Sequence, residues 1–248
     1  MDKVALTACL QKIKPDYIIH LAALSFVGHK KPKEFYDVNV FGTLNILEAA
    51  KEAKLSLKKI ILASSANIYG NPKGISVITE DTIPTPVNHY AMSKLAMEHM
   101  AKLWFDKFPI IITRPFNYTG PNQEPHFLVP KIVSHFKQKS NAIELGNLDI
   151  SRDFSDVRYV AKVYVQLLSS DSSSEVVNIC SSKKTELKEI ISFMEDIAGY
   201  KINVTVNPAF VRKDEIKTLI GCNKKLQSIT SGVEKIEIKQ TLSDMYTF

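Results

Sequence analysis

The chain has 248 residues, 45% hydrophobic and 23% charged, which describes one large or two small globular domains and excludes a disordered or fibrous chain. Its net charge of +6 comes from 32 basic and 26 acidic residues with scattered lysines; pairs such as Lys183 with Lys184 read as solvated faces, so no nucleic-acid groove is expected, while a basic balance suits a diphosphate-bearing ligand. Three cysteines without metal-ligand or disulfide spacing, no apolar run long enough to cross a bilayer and no signal-peptide centre predict a cytoplasmic protein without a metal site.

In chain order, the pattern predicts a helix over 3–13, a strand over 17–21, a helix over 37–53 and a strand over 59–64. A helix over 91–107 and a strand over 110–114 follow. In that helix Leu95, His99 and Leu103 recur every four residues with Met97, Met100 and Trp104 beside them, a stripe that reads as core or subunit packing. A Pro- and Asn-rich loop over 115–126 leads to a helix over 127–138 and a strand near 142–145. Then come a helix over 157–168, a serine-rich surface turn over 169–174, a strand over 176–180, a helix over 185–197, a strand near 202–206 and a terminal segment from Ile236. Short β-branched runs alternating with helices predict an α/β fold with a parallel sheet, followed by a smaller lobe.

The chemistry concentrates at Tyr90 and Lys94. Positions four apart share a helix face, and an ammonium beside a phenol favours phenolate, lowering its pKa from about 10 and making it a usable acid and base. The strand over 59–64 runs into Ser64, Ser65, Ala66 and Asn67. Residues at the carboxyl ends of strands in an open parallel sheet face the ligand crevice. Ser65 and Tyr90 would therefore offer two donors to one carbonyl or alkoxide oxygen, as hydride transfer at an alcohol carbon requires.

These residues resemble the extended short-chain dehydrogenases/reductases that act on nucleotide sugars. His20, Leu21, Ala22 and Ala23 look like the family's strand-end motif, and Asn39 with Phe41, Gly42, Thr43, Leu44 and Asn45 like the helix after it. Ser65, Tyr90 and Lys94 match the catalytic serine, tyrosine and lysine, with the family's 25-residue spacing from serine to tyrosine. Arg114, Pro115, Phe116 and Asn117 with Gly120 and Pro121 look like the loop that passes the nicotinamide and reaches the substrate. The resemblance implies a Rossmann-like domain over 1–118 plus about 142–180, and a substrate lobe over about 119–141 and 181–248. It implies NAD(P)(H) held by Leu21, Ala22, Ala23, Asn39, Ala63, Ser64, Tyr90, Lys94, Pro115 and Phe116. A homodimer through the helices near 37–53 and 91–107 is also implied.

Within the family, several segments are similar to reductases acting on GDP-4-keto-6-deoxymannose, which implies a GDP-linked substrate. Its expected contacts are Ser25, Ser65, Asn67, Asn117, Val129, Lys131, Arg152, Arg212 and Glu215, with the two arginines on diphosphate or base. Alternatively Arg152 pairs with Asp153, and Ser25 caps a helix. His89 reads as a surface histidine. Tyr159 departs from the aspartate common in the wider family. Ala66 and Asn67 exclude a 4,6-dehydratase, which needs an acidic pair just after the serine to take one proton and expel water.

Two other readings stay open: a C4-epimerase using the same three residues on a UDP-sugar with NAD retained, and a cofactor-free, inactive fragment or homologue. The last draws on glycine. Only 9 are present where average usage predicts about 17, and none are spaced as Gly-x-Gly. The strand over 17–21 aligns with the family's fourth, so a Gly-rich βαβαβ unit is expected to be missing ahead of it, leaving an uncovered apolar edge and weak dinucleotide binding.

Overall fold

The computed structural model describes residues 2–72, 74–211 and 216–248. The helix α1 (Lys3–Ile13) is capped by Asp2, whose carboxylate accepts from Ala5 N, and leads into β1 (Tyr17–His20). A short α2 (Pro32–Tyr36) and a π turn (Asp37–Phe41) precede α3 (Gly42–Glu52) and the buried β2 (Lys59–Ala63). The expected helix over 37–53 thus begins with a wider turn, which carries Asn39 to 1% exposure.

The next helix, α4 (His89–Lys102), is shorter than expected. Beyond Lys102 the chain tightens into turns such as Trp104 N to Ala101 O, and Leu103 is left 77% exposed. It leads to β3 (Ile110–Pro115), β4 (Asn117–Thr119), α5 (Leu128–Lys137), β5 (Ala142–Leu145), β6 (Ser151–Arg152) and β7 (Phe154–Asp156). The chain then forms α6 (Val157–Ser169), β8 (Glu175–Ile179), β9 (Thr185–Glu186), α7 (Leu187–Ala198) and β10 (Asn203–Val206). It ends with β11 (Thr218–Leu219), α8 (Lys224–Ile229) and α9 (Ile238–Thr247).

The main sheet has the order β1-β2-β3-β8, all parallel, with Ile60 opposite both Ile18 and Ile110. Strand alternation assigns its two faces. Ile60, Leu62, Ile110 and Ile112 pack with Leu10, Leu47 and Met97 from α1, α3 and α4. Ile61, Ile111 and Val177 pack with Val160, Val163 and Leu167 from α6 and Leu226 from α8. Each such aliphatic side chain removed from water contributes about 1.5–3 kcal/mol. β1 is an edge strand of this sheet, and Tyr17 and Ile19 are 42% and 40% exposed.

A second core joins Ile132, Val133 and Phe136 of α5 to Ile190 and Met194 of α7 and Leu242 of α9. Ile143 and Leu145 lie in this core and β5 pairs with β10, so the stretch 142–150, expected with the main sheet, packs in the other layer. β5 and β10 form a two-stranded sheet of their own, separate from the main sheet. The serine-rich turn is tied down by Lys59, 4% exposed, whose Nζ donates to the carbonyls of Ser170 and Ser172. Those bonds satisfy a buried ammonium that would otherwise be costly. Among the described residues no helix is long and apolar enough to cross a membrane, and no group of three His, Cys, Asp or Glu could hold a metal ion.

Candidate active site

The carboxyl end of β2 delivers Ser64 and Ser65, and α4 crosses beside it. Ser65 is extended and caps the 3-10 turn Ala66–Tyr69, accepting from Asn67 N at 3.2 Å. Asn88 caps α4 through Ala91 N at 2.9 Å, placing Tyr90 in the first turn and Lys94 in the second, 8% and 4% exposed. Lys94 Nζ donates to the Ala63 carbonyl at 2.7 Å, tying the helix to the strand end beside Ser65.

The electrostatics differ from the expectation. Burial raises the Tyr90 phenol to about 12, opposed by its hydrogen bond with Ser65. Lys94 is not among the groups that act on the phenol; its ammonium donates to the Ala63 carbonyl. Burial instead pushes Lys94 down to about 8, while Glu98 one turn on works the other way. His20, bonded to Thr43 Oγ1 at 3.1 Å, is lowered to about 4 by burial and by the Lys94 charge, and is neutral at pH 7.

The expected cofactor residues separate into two groups. Leu21, Ala22, Ala23, Ala63, Ser64 and Pro115 sit at the carboxyl ends of three adjacent strands, where a dinucleotide is held in open α/β sheets. The Ser64 hydroxyl is buried without a hydrogen-bond partner, and these residues fit a bound NAD(P)(H). Asn39 and Phe116 do not present a free side chain to it. Asn39 binds both the N–H and the carbonyl of Leu24 and donates to Ser93 Oγ at 2.9 Å, so it shapes the loop over 21–26. Phe116 packs in a core with Ala66, Tyr69 and Leu219. Arg114, expected in the loop past the nicotinamide, is instead 4% exposed and paired with Glu98 at 2.7 Å.

A cavity of about 570 Å³ lies between the sheet's end and the smaller lobe. Ser25, Asn67, Asn117, Val129, Lys131 and Arg152 all line it, six expected substrate residues drawn from distant parts of the chain. The cavity reaches Asn67 and Asn88, each two residues from Ser65 or Tyr90. Lys131 donates to Glu144 O at 2.7 Å and lies 4.4 Å over the Phe210 ring. Arg152 Nη1 donates to the carbonyls of Ser151 and Lys217. Asp153 is committed elsewhere, accepting from Ser181, Ser182 and Gly221, which disposes of the Arg152–Asp153 pair as its role. Arg212 and Glu215 lie outside the described residues.

Ser25 caps no helix, since the cap of α2, the next helix, is Lys31. His89 bonds the exposed Tyr36 hydroxyl, in keeping with a surface role, and Tyr159 is a 3% exposed core residue on α6. The sequence reading missed Asn88, Tyr118, Phe210 and the Phe26–His126 ring contact at 5.0 Å, all in the cavity wall. It also missed Glu98, whose signal was the continued four-residue spacing from Tyr90 through Lys94.

A parallel sheet wrapped by helices, with serine, tyrosine and lysine gathered at its carboxyl end, defines an enzyme of the extended short-chain dehydrogenase/reductase class. The model of the GDP-mannose 4,6 dehydratase family matches residues 1–245, and the chain belongs to that family. It is 37% identical over 238 residues to the GDP-6-deoxy-D-talose 4-dehydrogenase of Aggregatibacter actinomycetemcomitans, covering 96% of this chain and 81% of that one. It is 34% identical over 238 residues to the GDP-6-deoxy-D-mannose reductase of Pseudomonas aeruginosa, covering 92% and 78%. The solved structure of RMD from Pseudomonas aeruginosa complexed with NADPH superposes with a TM-score of 0.86 at 32% identity, covering 94% of this chain and 80% of that one.

Proposed function

We propose that the protein reduces the 4-keto group of GDP-4-keto-6-deoxymannose with NAD(P)H. The observation that carries this reading is the gathering of Ser65, Tyr90 and Lys94 at the strand ends, with Lys94 tied to the Ala63 carbonyl, beside a cavity that holds Lys131 and Arg152. The names of two relatives above 30% identity, a GDP-6-deoxyhexose 4-dehydrogenase and a GDP-6-deoxyhexose reductase, support the substrate class. NAD(P)H, held along Leu21, Ala22, Ala23, Ala63 and Ser64, would supply the hydride.

Tyr90 donates the proton to the forming alkoxide: burial raises its phenol to about 12, so the hydroxyl carries its proton at pH 7. Ser65 hydrogen-bonds the same oxygen, and the Lys94 ammonium supplies positive charge near it. Lys131 and Arg152 take the diphosphate in the smaller lobe, so the sheet lobe handles the reaction and the smaller lobe the nucleotide. Dehydration is disfavoured, because Ala66 is 1% exposed without an acidic group and Asn67 is an amide. The exposed flanks of the π turn, α3 and α4, with Phe41 and Met92 among their exposed apolar residues, are the surface we assign to a homodimer. Three free cysteines fit a cytoplasmic setting.

The test mixes the protein with NADPH and GDP-4-keto-6-deoxymannose and follows NADPH absorbance. Net consumption is expected; conversion of a UDP-hexose without consumption would instead establish the epimerase. Tyr90→Phe should slow turnover by about 10²–10⁴-fold with nucleotide affinity nearly unchanged, and retained turnover would remove Tyr90 from its role.

A further inference from the structure

Glu98 stands four residues beyond Lys94 and eight beyond Tyr90, on the helix face that meets the sheet, and is 0% exposed. Its carboxylate receives Arg114 through Nε at 3.0 and 3.2 Å and through Nη2 at 2.7 Å, a forked and charge-assisted contact. Arg114 comes from β3. Its other arm, Nη1, donates to the Tyr69 hydroxyl at 2.8 Å and to Glu80 O at 3.1 Å, and the guanidinium lies 5.0 Å over the Tyr69 ring. Tyr69 closes the 3-10 turn that Ser65 opens, and its own hydroxyl donates to Asn178 Oδ1 on β8 at 2.7 Å. One continuous buried chain of polar contacts therefore runs from the helix of Tyr90 to the turn of Ser65.

Stability alone does not account for this arrangement. A buried ion pair loses so much hydration that well-packed apolar residues in its place are often neutral or more stabilising. What such a chain supplies is direction, because a forked ion pair and an aligned hydroxyl tolerate one geometry where greasy packing tolerates several. Ser65 sits in the 3-10 turn after β2 and Tyr90 in the first turn of α4, so their separation is set by how that turn and that helix are held together.

We infer that Glu98, Arg114 and Tyr69 are positioning residues that hold the Ser65 turn at a set distance from the Tyr90 helix, so that both hydroxyls meet one substrate oxygen. None of the three lines the substrate cavity, so they act through the helix and the turn that carry Tyr90, Lys94 and Ser65. The consequence for the reaction rests on the proposed reduction; the positioning itself does not.

Two variants and two readouts test it. Tyr69→Phe removes a single oxygen from the chain, and the double substitution Glu98→Leu with Arg114→Met replaces the ion pair by apolar groups and retains the fold. NMR of ring-labelled tyrosine, with Tyr90 assigned by Tyr90→Phe, needs no substrate. The Tyr90 resonance should be single in the natural protein, and shifted or doubled in both variants. In the reductase assay, kcat should fall about tenfold in Tyr69→Phe and about a hundredfold in the double variant, the scale expected when reacting groups are displaced by an ångström or less. KM for the GDP-sugar should stay within about twofold, since the recognition contacts are elsewhere. An unchanged Tyr90 resonance in both variants overturns the positioning role, as does a natural kcat in both, or a rise in KM that matches the fall in kcat. Absence of any NADPH consumption by the natural protein, with the resonance shifts present, overturns the proposed reduction and leaves the positioning standing.

Discussion

The two ends of the cleft are built on different principles. At the sheet end, Ser65, Tyr90, Lys94, Glu98 and Arg114 are all less than 9% exposed, with Lys94 bonded to a strand carbonyl, Arg114 to Glu98 and Ser65 to the backbone of its own turn. At the other end, the cavity wall comes from separate short elements, with Phe210 48% exposed and Lys131 bonded to a carbonyl instead of a carboxylate. The first region is set before any ligand arrives, and a change there must disturb several partners together. The second offers side chains that can turn to meet a ligand, and a change there disturbs little beyond recognition.

The sharpest way to break this contrast is to put the same methyl group into each region. Gly70 ends the catalytic turn at φ +61°, and a Cβ there would sit 1.9 Å from the Thr85 carbonyl oxygen. Gly70→Ala should cost about 1–2 kcal/mol from backbone conformation alone, with the clash added, and urea denaturation should show a large loss of stability accompanied by loss of turnover. Gly146 has no such backbone requirement, and its added Cβ would meet the Phe210 carbonyl at 2.6 Å. Gly146→Ala should therefore force the short turn Pro208–Phe210 to move, lower the denaturation midpoint by less than Gly70→Ala because no positive φ adds to the clash, and raise KM for the GDP-sugar several-fold. Equal stability losses in the two variants would abolish the distinction.

A smaller effect sharpens the same contrast through pH. Lys94 has its pKa pushed down to about 8 by burial. If the charged form is the active one, kcat/KM should decline as pH rises through about 8, since this profile reports groups of the free enzyme. The sign for stability is opposite. The unfolded lysine keeps its proton up to about 10.4, so between about pH 8 and that value the unfolded state binds more protons and stability rises with pH. A rate profile flat to pH 10, or denaturation midpoints falling across that window, would show Lys94 to be more solvated than its surroundings indicate.

Much of the sheet was legible because buried parallel strands write themselves as β-branched runs: 59–64 and 110–114 were each placed within a residue of β2 and β3. The catalytic trio was legible for a related reason, since helix geometry makes a four-residue spacing into proximity. The short strands β4, β6, β7, β9 and β11 were not, because two or three residues carry no period. Six of the expected substrate residues reached one cavity, whereas Asn39 and Phe116 were turned into the structure by bonds to Leu24 and packing on Tyr69 that only folding creates.

By itself, then, the sequence determined the alternation of strands and helices, the Ser65, Tyr90 and Lys94 constellation and the family to which the chain belongs, because each is written in local spacing or residue identity. The tertiary structure alone decided the ionisation of those residues and the partner of Arg114. It also assigned 142–150 to the smaller lobe's core. These depend on burial and on contacts between residues far apart in the chain, and a pKa or an ion pair belongs to its surroundings before it belongs to the residue.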